Sequence, residues 1–375
     1  MAKNNTNEQS TKSYPKMNDL RLQQIHYELD DLKADALAIT YMPNIRYLTG
    51  FSGSTATMFV THDDITFVTD DRYEEQIKTE LYPLPNLKTY ISRNVWGLIQ
   101  DKIILKKVAS LAFEADRISY ADAVSIRNII RPLKFKPGVN LVERFTIPKA
   151  PEELENIQKA CDIAIKVYEK ILEEIKPGIT ERDIAIEIAY QTRKLGSEGD
   201  PFPIIVVSGE RGGLVHGAPS NRKFKKGDLV LMDFGSIVNG FCSDITRTVA
   251  IGKITKEQKT VYDLINRAKE TAIENVRPGM NGKILDNISR KIIKDAGYGD
   301  YFQHSLGHGI GLVAHEMPTI TFRMEDQIVP ENCVLALEPG VYIPNKFGIR
   351  IEDCILVTRN GSKYLTKAPQ EIVTL

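Results

Sequence analysis

The sequence predicts an α+β protein of two domains, a small α/β amino-terminal domain followed by a larger, pseudo-symmetric carboxy-terminal one. Three observations carry this. A chain of 375 residues exceeds the ~250 to 300 at which a single core stops growing. Short apolar strands alternate with helical stretches through residues 17–147. Segment 173–196, EEIKPGITERDIAIEIAYQTRKLG, repeats in plan at 274–297, ENVRPGMNGKILDNISRKIIKDAG, with the Pro-Gly and the closing Gly displaced by the same interval. A shared interval at two punctuation points marks a duplicated half.

Taken in order, residues 1–16 are polar and aperiodic and read as a disordered tail. Residues 17–33 carry Leu22, Ile25, Leu29 and Leu32 at helical spacing, which makes an amphipathic helix. ALAIT (36–40) and ITFVT (65–69) read as strands, and 72–80 and 119–131 as helical stretches. Pro148 and Pro151 interrupt regular structure, so the domains divide at 147/148, and Pro151 suits the first turn of the next helix. That helix, 152–176, places Leu154, Ile157, Cys161, Ala164, Tyr168, Ile171 and Ile175 on one face and stops at Pro177-Gly178. Thr180 with Asp183 opens another helix with a capping-box pair.

Composition narrows the function. The 49 basic and 49 acidic side chains cancel, so there is no summed positive field to hold nucleic acid or an anionic membrane. Cys161, Cys242, Cys333 and Cys354 lack C-x-x-C spacing and read as reduced thiols. No apolar run reaches the ~18 residues of a membrane span, and no signal pattern opens the chain, so a cytoplasmic location is expected.

The repeat continues into residues that carry chemistry. His216 in VHGAP is matched by His315 in AHEMP, and Asp233 in LVLMDFG by Glu338 in VLALEPG, while each half adds a second acid, Asp244 and Glu352. Asn239-Gly240 is a hairpin signal that puts Asp244 opposite Gly235, or opposite Asp233 in a register two residues shorter. Either way Asp233 and Asp244 share a face, because side chains alternate with period two. The segment around PNKFG repeats this for Glu338 and Glu352, with Arg350 pointing the same way.

Four converging carboxylates need cations among them, since unpaired buried ions cost several kcal/mol each. Two divalent metals would cancel their charge. Carboxylates with one imidazole suit Mn or Co better than Zn. His308, in HSLGHGIGL, is the imidazole this reading selects, because its flanking glycines allow close approach. Two metals sharing a hydroxide can hydrolyse a peptide bond. GHGIG lacks both G-x-G-x-x-G and a Walker lysine, so nucleotide binding is set aside.

The runs MDFGSIVNGFCSDITRTVAIG, HSLGHGIGLVAHEMP and LALEPGVYIPNKFGIRIEDCILV resemble the three signature blocks of the aminopeptidase P and prolidase family. RLQQIHYELDDLKADALAITYMPNIRYLTGFSGS is similar to that family's creatinase-like amino-terminal domain, so the resemblance covers essentially the whole chain. It implies a pita-bread catalytic domain, cleavage of an amino-terminal Xaa-Pro bond, and a homodimer. It further implies metal ligands at Asp233, Asp244, His308, Glu338 and Glu352, with Asp244 and Glu352 bridging two ions. His216, His304, His315 and Arg350 would line the substrate site. His315 and His216 would stabilise the tetrahedral intermediate, and Glu338 would accept a proton from the attacking water. The loop before His216 departs from the family, reading GERGGLVHG where GENSALPHG is usual, and this bears on substrate choice. Methionine aminopeptidases share the five ligands but usually lack the creatinase-like domain. Non-catalytic relatives lose ligands, and here all five positions are filled.

Overall fold

The computed structural model describes residues 19–375, so the expected tail 1–16 lies outside the described residues. The chain divides into two compact units between Val142 and Glu143.

In the first unit the strands are β1 (Ala36–Ile39), β2 (Ala56–Val60), β3 (Ile65–Thr69), β4 (Leu87–Ile91), β5 (Ser110–Glu114) and β6 (Lys134–Gly138). They form one sheet in the order β4-β3-β2-β1-β5-β6, antiparallel where β2 meets β1 and β3 and parallel elsewhere. β1 and β3 are buried along their whole length, as suits the apolar ALAI and the β-branched and aromatic ITFVT. The edge strands LKTYI and KFKPG are lysine-bearing and partly exposed. Helix Asp19–Asp31 buries Leu22, Ile25 and Leu29, and helix Tyr120–Ile129 falls within the expected 119–131. The stretch 72–80 is not one helix. Asp70 caps a short 3-10 turn, Asp71–Tyr73, by accepting from the Arg72 amide at 3.0 Å, and a separate turn of helix runs Ile77–Glu80.

The second unit is built twice. Helix Pro151–Glu174 is followed by Glu181–Lys194, and helix Lys256–Asn275 by Gly282–Asp295. Gly178 and Gly279 before the second helices, and Gly196 and Gly297 after them, all have φ between 82° and 104°, the left-handed region that favours glycine. The Thr180 hydroxyl accepts from the Asp183 amide at 3.1 Å, as the capping pair requires.

Each helix pair covers its own strands. β7 (Ile205–Ser208), β8 (Leu229–Phe234) and β11 (Ile245–Ala250) form one sheet in the order β11-β8-β7, with β9 (Ile237–Val238) and β10 (Phe241–Cys242) as the hairpin tip between β8 and β11. β12 (Gly307–Gly309), β13 (Glu316–Ile320), β14 (Val334–Leu337), β17 (Asp353–Thr358) and β18 (Gly361–Tyr364) form the other, in the order β13-β12-β14-β17-β18. β15 (Gly340–Ile343) and β16 (Phe347–Arg350) make its hairpin tip. Ala164, Val167, Ile171, Ile184 and Ile188 pack on Val230, Met232 and Val249, while Val261, Ile265, Ala268, Leu285 and Ile293 pack on Leu335, Leu337, Ile349 and Ile355. The two halves join edge to edge. The Glu352 amide donates to the Thr246 carbonyl at 3.1 Å, and the Thr248 hydroxyl donates to the Arg350 carbonyl at 2.9 Å.

Candidate metal centre and active site

That junction is where the acids meet. In the first half Asp233 pairs with Thr246 and Phe234 with Ile245. Asn239 and Gly240 turn the chain with φ of 50° and 82°, and Val238 pairs with Phe241 beyond them. The same register runs through both pairs and sets Asp244 opposite Gly235, the first of the two registers left open by the sequence. Gly235 has no room for a side chain, since a Cβ would stand 1.9 Å from the Ser243 carbonyl oxygen. In the second half Leu337 pairs with Asp353 and Gly340 with Arg350, which brackets Glu338 and Glu352 as cross-strand opposites.

β12 runs beside β14 and brings in His308, whose Nε2 lies 3.6 Å from Glu338 Oε1 and 3.9 Å from Asp244 Oδ2. Ligand atoms of Asp244, His308 and Glu352 all lie within 4.8 Å of one another. Asp233 joins them from β8 through an ion pair with the Arg350 guanidinium, whose Nε is 3.8 Å from Glu338 Oε2. The five residues read as ligands thus converge.

The cluster fits cations. Asp233 Oδ1, Asp244 Oδ1 and Glu352 Oε1 are buried with no hydrogen-bond partner, and an orphaned buried oxygen costs ~1–3 kcal/mol, more when charged. One guanidinium cannot balance four carboxylates. Burial and mutual repulsion push Asp244 and Glu352 well above the usual carboxylate range, and burial pushes Glu338 to about 8. His308 is prepared as a ligand. Its Nδ1 lies 3.0 Å from the Gly309 carbonyl, an acceptor only, so Nδ1 carries the proton and Nε2 faces the acids with a free lone pair. Burial lowers its pKa to about 3 and keeps it neutral.

Around this centre stand the remaining site residues. His304 Nδ1 donates to the Ser305 carbonyl at 2.8 Å, leaving Nε2 to accept from the Tyr342 hydroxyl at 2.9 Å, while that hydroxyl accepts from Arg350 Nη1 at 2.7 Å. Burial, with Arg350 nearby, pushes His304 down to about 3. Arg350 is fully buried and also donates to Thr246 Oγ1 at 3.1 Å and to the Val215 carbonyl at 3.2 Å. It therefore stands as a fastener of the cluster rather than as a guanidinium open to solvent. His315 is exposed, with its ring centroid 4.1 Å from that of His308. His216 is exposed too, and its electrostatic influence reaches both His304 and His315.

Tyr342, Thr246, Arg247 and Asp353 were not singled out from the sequence. Arg247 donates to the carbonyls of Thr246 at 3.0 Å and Glu352 at 2.5 Å and pairs with Asp353, which also pairs with the buried Lys269. Of these only Asp353 adjoins a candidate ligand, Glu352, in the sequence, and no local pattern marked the other three.

Residues 155–359 match the model of metallopeptidase family M24, and residues 21–145 match that of the Creatinase/Prolidase N-terminal domain. The chain belongs to metallopeptidase family M24. It is a member of the prolidase and aminopeptidase P group of that family, an enzyme whose family implies divalent metal ions. The M24 chain is 36% identical over 357 residues to the Xaa-Pro dipeptidase of Pyrococcus furiosus, covering 94% of this chain and 99% of that one. Among solved structures it is similar to the Xaa-Pro dipeptidase from Bacillus anthracis, with a TM-score of 0.90 and 32% identity over 95% of this chain and 99% of that one. The X-Pro aminopeptidase from Thermotoga maritima gives a TM-score of 0.87 at 33% identity, covering 94% and 99%. The pita-bread arrangement and the creatinase-like first unit expected from the sequence are those of these relatives. Among the described residues no helix is long and apolar enough to cross a membrane, and the four cysteines are buried and unbridged.

Proposed function

We propose that this M24 peptidase hydrolyses the amino-terminal Xaa-Pro bond of dipeptides or short peptides, with two divalent ions held by Asp233, Asp244, His308, Glu338 and Glu352. The observation that carries the reading is the convergence of four carboxylates on one lone-pair-bearing imidazole, with three buried carboxylate oxygens left without partners. Relatives named Xaa-Pro dipeptidase and X-Pro aminopeptidase, matched over nearly the whole chain, supply the substrate class.

Asp244 and Glu352 would hold the ions together with Asp233, His308 and Glu338. Manganese, or cobalt or zinc in its place, would lower the pKa of a shared water to give a hydroxide and polarise the scissile carbonyl. Glu338 receives the proton of the attacking water. His315 and His216, both exposed on the mouth of the cluster, donate to the developing oxyanion, where a correctly placed donor contributes ~100- to 1,000-fold. Arg350 acts by orientation, holding Asp233 and, through Tyr342, His304. His304 lines the substrate pocket with a neutral ring. The same reading takes the protein as a cytoplasmic homodimer.

Subclass depends on the loop before His216. Leu214 is 47% exposed there, in the segment GERGGLVHG that departs from the family pattern. A matched set of Xaa-Pro, Xaa-Pro-Yaa and Met-Ala-Yaa peptides tests the proposal. Cleavage of the proline peptides alone is expected, and the dipeptide-to-tripeptide ratio names the subclass. Preferential cleavage of Met-Ala-Yaa would transfer the protein to the methionine aminopeptidase reading.

A further inference from the structure

Behind His315 lies a buried ion pair that none of the roles above uses. Glu316 opens β13, directly after His315, and pairs in register with Gly309 of β12, so residues 310–315 form the turn of a hairpin that carries His308 on one strand and His315 at its close. The Glu316 side chain folds back beneath this turn. Its Oε2 accepts from the Leu312 amide at 3.1 Å, and its Oε1 pairs with the Lys149 ammonium. Both side chains are almost wholly buried, at 8% and 2% exposed.

Lys149 reaches the turn from a segment 167 residues earlier in the chain. It spends its other two N–H bonds on the Thr146 and Ile147 carbonyls, at 2.6 and 3.1 Å, so all three donors of the ammonium are satisfied. Its own amide donates to the Asn332 carbonyl at 2.8 Å, which fixes the backbone from which the side chain extends. The turn closes tightly over the pair: a Cβ on Gly311 would fall 2.6 Å from Glu316 Oε1 and 2.8 Å from Lys149 Cε. The Gly311 carbonyl accepts from the Cys242 amide at 2.7 Å, two residues before Asp244.

We propose that Lys149 and Glu316 form a positioning pair that holds the 310–315 turn closed and so fixes His315 relative to the metal centre. The inference rests on the role given to His315 above. A carboxylate buried under a turn needs a counter-charge, and without one it must take up a proton or draw in water, either of which gives up the ionic contact that ties the turn to the segment beneath it. His315 is exposed and lies at the end of this turn, so its placement depends on what lies beneath it. A misplacement of ~1 Å at a catalytic group can cost ~100-fold in rate.

The test uses full-length, manganese-loaded protein and the variants H315A, K149R, K149M/E316Q, and K149M/E316Q with H315A. Removing both charges together avoids stranding a single buried ion, and thermal unfolding with metal analysis checks that each variant is folded and loaded. The expected result is a kcat at least ~10-fold lower for K149M/E316Q with KM changed less, near-normal kcat for K149R, and no more than about a twofold further fall when the pair is removed from H315A. Full additivity on the H315A background would overturn the inference, because a generally structural pair would act regardless of His315. So would wild-type kcat in folded K149M/E316Q while H315A is impaired. Wild-type kcat in H315A itself would overturn the role of His315, and the inference with it.

Discussion

Thr246 Oγ1 donates to Glu352 Oε2 at 2.7 Å and accepts from Arg350 Nε at 3.1 Å, so a hydroxyl of the first half orients a carboxylate and a guanidinium of the second. Partners of this kind behind metal ligands typically control ~10- to 100-fold in metal affinity. Thr246→Val keeps the shape and removes both bonds. Manganese titration by calorimetry should show affinity weakened within that range, with Thr246→Ser close to wild type. An unchanged affinity in Thr246→Val would mean that Glu352 is held in place by its backbone alone.

Asp353 stands between Arg247 and Lys269, all three wholly buried. Asp353→Asn leaves two cations without their shared anion, and breaking a buried ion pair costs ~3–5 kcal/mol. Urea unfolding followed by circular dichroism should show a loss of that order. Circular dichroism is preferred to fluorescence because the single tryptophan, Trp96, belongs to the first unit. Gln370 accepts from Lys269 and donates to Asp353 Oδ2 at 3.3 Å, so a loss under ~1 kcal/mol would mean that water or a rearranged Gln370 replaces the carboxylate.

Tyr342→Phe removes the group between Arg350 Nη1 and His304 Nε2. If His304 lines the substrate pocket, steady-state kinetics should show KM raised several-fold while kcat falls less. A fall confined to kcat would move His304 from substrate binding to the chemical step.

Gly212 lies against β16, where a Cβ would approach the Gly348 amide nitrogen to 2.5 Å. Gly212→Ala must lift the segment that leads to His216. The expected outcome is a kcat/KM lowered ~10- to 100-fold with metal content unchanged. Normal kcat/KM would indicate that the loop before His216 is not part of the reacting geometry.

The sequence was most informative where two periodicities coincided. Asp233, Asp244, Glu338 and Glu352 were recognisable because the duplicated halves repeat them and because period-two alternation sends each pair to one face. The hairpin signal of Asn239-Gly240 left two registers, and the structure takes the one that faces Asp244 toward Gly235, where only glycine fits beside the Ser243 carbonyl. The lysine-bearing edge strands Leu87–Ile91 and Lys134–Gly138 were not named as strands, because partial exposure leaves no continuous apolar run. The stretch 72–80 read as one helix although the Asp70 cap closes its first turn separately. Lys149 and Tyr342 were silent for another reason. Their partners, Glu316 and His304, are distant in sequence, and no local pattern records such a pairing.

The two metal ions proposed to drive Xaa-Pro hydrolysis can be counted and tested for activity together. Chelator-stripped protein titrated with manganese, with bound metal and hydrolysis of an Xaa-Pro dipeptide followed in the same samples, tests their role most directly. Saturation at two ions per chain is expected, with activity rising as the sites fill and both lost in Glu352→Gln. Full activity in the stripped protein, or stoichiometric metal with no cleavage of any Xaa-Pro peptide, would contradict it.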